Sequence, residues 1–290
     1  MAPVNPNHWP RLTAKQLSVV SKIYAVEDQA QLIFGDRDAA ASFQRRHPLW
    51  PDRSMNLFRT IDTAFARVQA MSEPVDRFVF MFGRMCAEDF MEILLVCGNG
   101  YGEAGLKLLR SLYEHTATLR YLHGHADEVD AFMDFHHVQQ YKLMRNILDT
   151  FGKDALQPDI VIKVEERYAA VKRDFLITDC EKCGTKRPNP TWSKLDFVSM
   201  AKRAGSISKL IVPGYFIPLR HAHSTFGGLS DRLERVDNRV QFRRESSPEA
   251  ADKALMTAHH CILHVLEVQN ERFTVDGLRE QLQSLLPGFL

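Results

Sequence analysis

Apolar residues recur along most of this chain with a period near 3.6, a rhythm that predicts helices almost throughout. Leu17, Val20, Ile23, Tyr24 and Val26 set the first, over about residues 14 to 34. Asp36 can cap a short helix that ends near His47, and the Pro48 to Pro51 segment breaks the chain. The next helix, from about Met55 to Met71, carries Leu57, Ile61, Ala64, Phe65 and Val68. Pro74 opens another that runs to about Val96, and Gly98 to Gly102 forms a turn. A helix then ends at Gly124, one runs from Asp127 to Gly152, and one from about Pro158 to Phe175. Residues 176 to 193 lose the rhythm and read as an irregular insertion. Shorter helices are predicted around 194 to 204 and 214 to 226, then an exposed charged turn from Asp231 to Glu245. The alternation in Arg239 to Phe242 is too short to count as a strand. A last long helix covers Pro248 to Phe273. The fold class is all-α, a multi-helix bundle over 53–290 with an N-terminal helical arm over 1–52. There is no internal repeat.

Composition narrows the function classes. The chain has 290 residues, enough for a sizeable core, and its 45% apolar content is that of a globular protein. A net charge of +1 gives no global pull toward nucleic acid or acidic membranes, although a local basic face remains open. The longest apolar runs, Phe78 to Phe82 and Met91 to Cys97, are too short to span a bilayer. The first ten residues carry neither a basic nor an apolar leader region. Five cysteines without regular spacing suit a reducing compartment, so the expected location is cytoplasmic.

Two polar constellations stand inside apolar sequence. On the helix ending at Gly124, Leu106, Tyr113, Ala117 and Tyr121 fall on one side, and Arg110 and Glu114 lie among them. No face is purely polar, so the pair is expected to be largely buried, where each charge needs a partner. It is either a tie that fixes helix register or part of a cavity cluster in which Arg110 holds an anion and Glu114 orients it.

The second constellation lies in Gly214 to Gly228, where Arg220, His221, His223 and Ser224 fall within five residues. Histidine exchanges protons near neutral pH. On a continuous helix, residues two apart diverge by about 200°, so only one of these imidazoles could face a given site. Burying Arg110 and Glu114 demands further hydrogen-bond partners, so the two constellations should meet, with Tyr113, Tyr121 and Tyr215 as walls.

Other motifs imply less. Gly100 to Gly105 fits G-x-G-x-x-G, but its helical surroundings lack the βαβ units of a dinucleotide site, and small residues for close helix packing explain it. Cys180 and Cys183 form half of a zinc-knuckle pattern without a second half, and read as free loop thiols. His260 with His264, and His136 with His137, lack the companion carboxylates of a bundle metal centre. Neither a metal nor a cofactor is expected.

The run Leu108 to Glu114 with Tyr121, the stretch Trp192 to Phe197 with Met200 and Ala201, and then Tyr215, His223 and Ser224 resemble a widespread bacterial family of helical proteins of unknown function. The resemblance covers roughly residues 75 to 270 and implies no reaction. Arg110-Ser-Leu-Tyr-Glu-His115 also resembles the arginine-to-histidine motif of the HEPN-like ribonucleases. That second resemblance implies metal-independent RNA cleavage by Arg110 and His115, although the two diverge by about 140° on a regular helix. Candidate catalytic residues are therefore Arg110, Glu114, His115 and His223. Candidate binding residues are Tyr113, Tyr121, Tyr215, Arg220, His221 and Ser224. The expected function is a binding or assembly module with a polar core cluster, the alternative a HEPN-like ribonuclease or toxin-type effector. The partners this leaves are RNA, a small anion or a second copy of the chain, and no membrane.

Overall fold

The computed structural model describes residues 37–66, 71–179, 183–243 and 246–285. The helix expected over 14 to 34 lies outside them. Helix α1 (Arg37–Arg46) is followed by α2 (Trp50–Phe65). The expected break is shorter than its prolines suggest. Pro51 stands in the first turn of α2, where a missing N–H costs nothing. The helix therefore starts at Trp50 rather than Met55, and it crosses the expected arm boundary at residue 52. Phe43 meets Trp50 edge-on at 5.4 Å, and His47 and Arg46 both bond Asp252 at 3.0 Å.

Helices α3 (Pro74–Gly98), α4 (Gly102–Gly124), α5 (Val129–Phe151) and α6 (Pro158–Val171) continue the chain. Strands β1 (Leu176–Thr178) and β2 (Lys186–Pro188) pair inside the expected insertion. Then come α7 (Phe197–Arg203), a 3₁₀ turn (Gly205–Leu210), a π turn (Val212–Phe216), α8 (Ile217–Ala222) and α9 (Phe226–Ser230). Strands β3 (Leu233–Val236) and β4 (Arg239–Phe242) precede α10 (Pro248–Phe273) and α11 (Leu278–Leu285). The fold is all-α, with two small antiparallel hairpins among the described residues.

The β3–β4 hairpin corrects the reading of Asp231 to Glu245 as a turn. Asp237 and Asn238 take positive φ of 48° and 61°, as a tight two-residue hairpin turn requires. Asp and Asn tolerate that region because their side chains satisfy the local backbone. Helix α6 also stops short of Phe175, which is buried against Phe135 and Val138 instead.

The described chain forms two compact units. Residues 122–200 make one, in which α5 and α6 pack together and Tyr141 stacks on Tyr168 at 4.0 Å. The other joins residues up to 121 with those from 201 onward. There α3 lies along α10, and α2 is covered by α11. Leu57, Phe90, Ile93, Leu109, Leu112, Leu255, Ile262 and Leu266 fill its core, each burial contributing roughly 1.5–3 kcal/mol. The G-x-G-x-x-G run serves packing, as expected. A Cβ on Gly105 would sit 2.2 Å from Cys97 Sγ and 3.3 Å from the Ala254 Cβ, so glycine lets α3, α4 and α10 converge. Polar ties close this unit at its edges. Arg272 of α10 reaches Asp76 and Glu73 at the start of α3. Glu103 of α4 accepts from Arg243, Ser246 and the Ser247 backbone, fixing the entry to α10. No described helix is long and apolar enough to cross a membrane.

Candidate anion site at the Arg110–His223 contact

The site grows out of a local departure from regular helix. The π turn at Val212–Phe216 lies against α4, with Gly214 directly over the Tyr113 ring. Tyr113 is fully buried and donates through its hydroxyl to the Ile207 carbonyl at 3.3 Å. Insertions of this kind recur where a helix must present side chains out of register. Tyr215 leaves the turn toward α4, and its ring centroid lies 4.9 Å from the Arg110 guanidinium carbon.

Helix α8 ends at Ala222, and His223 is extended, with φ −112° and ψ 160°. That break lifts the 200° constraint expected of a continuous helix, so His221 and His223 line one cavity. His223 Nε2 lies 2.8 Å from Arg110 Nη1, and Arg110 Nε donates to Glu114 Oε1 at 2.8 Å. A guanidinium has only donors, so in this contact Nε2 accepts and the ring proton sits on Nδ1. The two constellations therefore meet directly. Arg110 is held from three sides, by Glu114, His223 and the Tyr215 ring.

Burial of the pair is less than expected. The Arg110 side chain is 21% exposed and that of Glu114 37%. Lys107 and Ser111, on the same edge of α4, face solvent. The pair lies at a half-open margin of the unit, not in its interior.

The Arg110–His223 contact borders an open cavity of about 330 Å³. Its polar lining comes from Lys107, Arg220, His221, His223, Ser224 and Arg232, and its apolar wall from Leu229 and Phe242. Arg220 is paired with Asp231 at 3.2 Å. No carboxylate among the described residues pairs with Lys107 or Arg232. The His221 side chain is 8% exposed; its Nε2 lies 3.7 Å from Asp231, and its buried Nδ1 has no hydrogen-bond partner. Burial lowers the His221 pKa below its ordinary 6.5, against the opposing pull of Asp231 and Glu103. The cavity thus joins two unpaired cations, an orphan imidazole nitrogen and a hydroxyl, chemistry suited to an anion.

Other sequence candidates lie elsewhere. His115 Nδ1 is 2.6 Å from Asp89 Oδ2, and its ring stands edge-on to Phe82, so it does not join Arg110. Tyr113 and Tyr121 are core residues, 0% and 1% exposed, and cannot wall a cavity. Both rings lie within about 60° of Arg110 around α4, so it is the segments packed at their levels, and not helix register, that bury them. Lys107, Arg232, Leu229 and Phe242 join the cavity without a sequence motif to mark them. Charge segregation was the available signal: residues 201 to 244 hold nine Lys or Arg against three Asp or Glu, in a chain of net charge +1. Among the described residues no three His, Cys, Asp or Glu side chains gather as metal ligands. Cys180 lies outside the described residues, and Cys183 is exposed beside the Thr185 hydroxyl at 2.9 Å.

No curated protein and no solved structure matches the chain. Residues 77–240 match a family of unknown function, DUF5677. The match spans α4, the π turn, His223 and Arg232, so the candidate site falls almost wholly inside it. The matched residues are mostly helical in this chain, consistent with the helical family of unknown function that the motifs around Arg110 and His223 resembled, and a HEPN resemblance is not shown. Covering more than half of the sequence, the match establishes that this chain belongs to the DUF5677 family.

Proposed function

We propose that this protein is a cytoplasmic binding module whose cavity beside Arg110 and His223 holds a small anion. The observation that carries the reading is the Arg110–His223 hydrogen bond of 2.8 Å, which ties two segments far apart in sequence at the margin of a cation-lined cavity. Lys107 and Arg232 supply unpaired positive charge, His223 and Ser224 supply donors, and His221 supplies a buried nitrogen in need of a partner. Arg110 positions His223 and does not itself line the cavity. Glu114 and the Tyr215 ring in turn hold Arg110.

Titration calorimetry with pyrophosphate tests the reading. Wild type should bind it, and Lys107→Met with Arg232→Met together should abolish binding while circular dichroism stays unchanged. Wild-type protein that binds neither pyrophosphate nor any phosphorylated compound would refute it. The ribonuclease reading asks for Arg110 and His115 in one site, whereas His115 is engaged by Asp89. Cleavage of single-stranded RNA by wild type, lost in His115→Ala, would overturn the preference for a binding module.

A further inference from the structure

The cavity has two unlike walls, and the difference narrows the ligand. One wall is cationic, with Lys107 and Arg232 free of carboxylate partners among the described residues. Asp231 neutralises Arg220 and leaves those two charges unopposed. The other wall is apolar and comes from Leu229 of α9 and Phe242 of β4. Phe242 is 54% exposed and Leu229 49%. The β3–β4 register puts Leu233 opposite Phe242, with Arg235 and Val240 on the same face. That face carries aromatic, aliphatic and cationic groups side by side.

A bare anion uses only the first wall. A ligand matching both is amphipathic, with a compact multivalent anion at one end and a flat apolar body at the other. The buried His221 Nδ1 adds an independent observation, because it is an unpartnered polar atom on a side chain more than nine-tenths buried that lines the same cavity. The volume of about 330 Å³ lies at the lower end of small-molecule cavities, roughly 300–1,000 Å³.

We propose that the cavity binds a nucleoside phosphate, with the phosphoryl group between Lys107, Arg232 and the histidines and the base stacked on Phe242. This deepens the anion-binding reading and rests on it. Stacking on an exposed aromatic ring tolerates any base, because each base has a π-face. The ligand could be a free nucleotide or a nucleotide within a single strand, since both present this chemistry.

Calorimetry on the full chain with pyrophosphate, ribose 5-phosphate, adenosine 5′-monophosphate and a ten-residue oligoadenylate decides it. The monophosphate should bind about tenfold or more tightly than ribose 5-phosphate, the range expected for one stacked base. Phe242→Ala should remove that difference. Phe242 is half exposed, so the variant is expected to fold, and circular dichroism checks this. Lys107→Met and Arg232→Met should weaken all the phosphorylated ligands together. An oligoadenylate that competes with the monophosphate and binds more tightly assigns the site to a polymer; tighter binding of the monophosphate assigns it to the free nucleotide. Equal affinity for the monophosphate and ribose 5-phosphate, or a preference that survives Phe242→Ala, would overturn the nucleoside assignment. Pyrophosphate binding would then still stand as the test of the anion reading. Failure of every ligand, pyrophosphate included, would sink both.

Discussion

Gly214→Ala sets two opposed effects against each other, and their magnitudes decide the sign. In an ordinary helical position the alanine would be favoured by about 0.5–1 kcal/mol, because glycine loses more backbone freedom on folding. Here the new Cβ would stand 2.6 Å from Tyr113 Cδ2, 2.8 Å from its Cγ and 3.2 Å from its Cβ. The ring has nowhere to go, since Tyr113 is 0% exposed and its hydroxyl holds Ile207. Overpacking of this kind costs about 1–3 kcal/mol, and more where several atoms must shift. The clash wins, and a net loss of about 1–2 kcal/mol is expected, read as a lower urea midpoint at unchanged slope. The same displacement moves Tyr215 and His223 away from Arg110, so anion affinity should fall about tenfold. Gly214→Ser, slightly larger, should be worse on both counts. A variant Gly214→Ala that is more stable than wild type would refute the account, because it would mean that the π turn does not rest on Tyr113.

Three further outcomes follow from the site and its supports. Glu114→Ala should cost only about 0.5–1 kcal/mol in a denaturant titration, because the carboxylate is part-exposed and paired at i,i+4; a loss above about 3 kcal/mol would show that the pair is buried after all. Asp76 should contribute to acid stability: burial raises its pKa, but hydrogen bonds from the Glu73 backbone, Arg272 and Ser72 outweigh this and hold it below 3.8. A depressed carboxylate stabilises the fold above its unfolded pKa and loses that contribution as pH falls through the folded one, so Arg272→Ala should flatten the acid limb of a stability–pH curve, and an unaltered limb would refute the assignment. Anion affinity should rise as pH falls from 8 toward 5.5, because burial disfavours the charged His221 among Asp231, Glu103, Arg220 and Arg232 and a bound anion restores it; His221→Gln should remove that pH dependence, and a pH response that persists would locate the proton elsewhere.

Legibility followed period and length. Helices with a sustained apolar stripe, Pro248–Phe273 above all, could be read from sequence because each of their turns repeats the same signal. The β3–β4 hairpin could not, since four residues of alternation carry little periodic information and its evidence lies in Asp237 and Asn238. Leu278–Leu285 is hard to read for the same reason of length. Within the site, polar residues inside apolar sequence led to the segments that meet in the Arg110–Glu114 and Arg110–His223 contacts. Tyr113 and Tyr121 prove to be core rings instead, because a helix wheel gives the side on which a ring lies but not whether a second segment covers it. Lys107 and Arg232 are unremarkable on any wheel, and only the structure shows them lining one cavity without a carboxylate partner among the described residues.

The backbone irregularities and the chemistry of the site have a common cause. A regular helix from Val212 through Ser224 would splay His221 and His223 by about 200° and bury one of them at the expense of the other. The π turn shifts the register once at Gly214, and the extended residue at His223 ends the helix. Together they send Tyr215 over Arg110, His223 to its Nη1 and His221 into the same cavity. The extended residue at His223 ends regular helical hydrogen bonding, whereas the π turn also packs buried Gly214 on Tyr113. Strained or irregular backbone persists where the surroundings over-determine it, and here the fixed partners are a buried aromatic ring beneath and an arginine held by its own i,i+4 glutamate beside. The arrangement therefore makes a separable demand on variants: Gly214 substitutions should damage fold and binding together, whereas His223→Ala should leave stability nearly unchanged and reduce anion affinity alone.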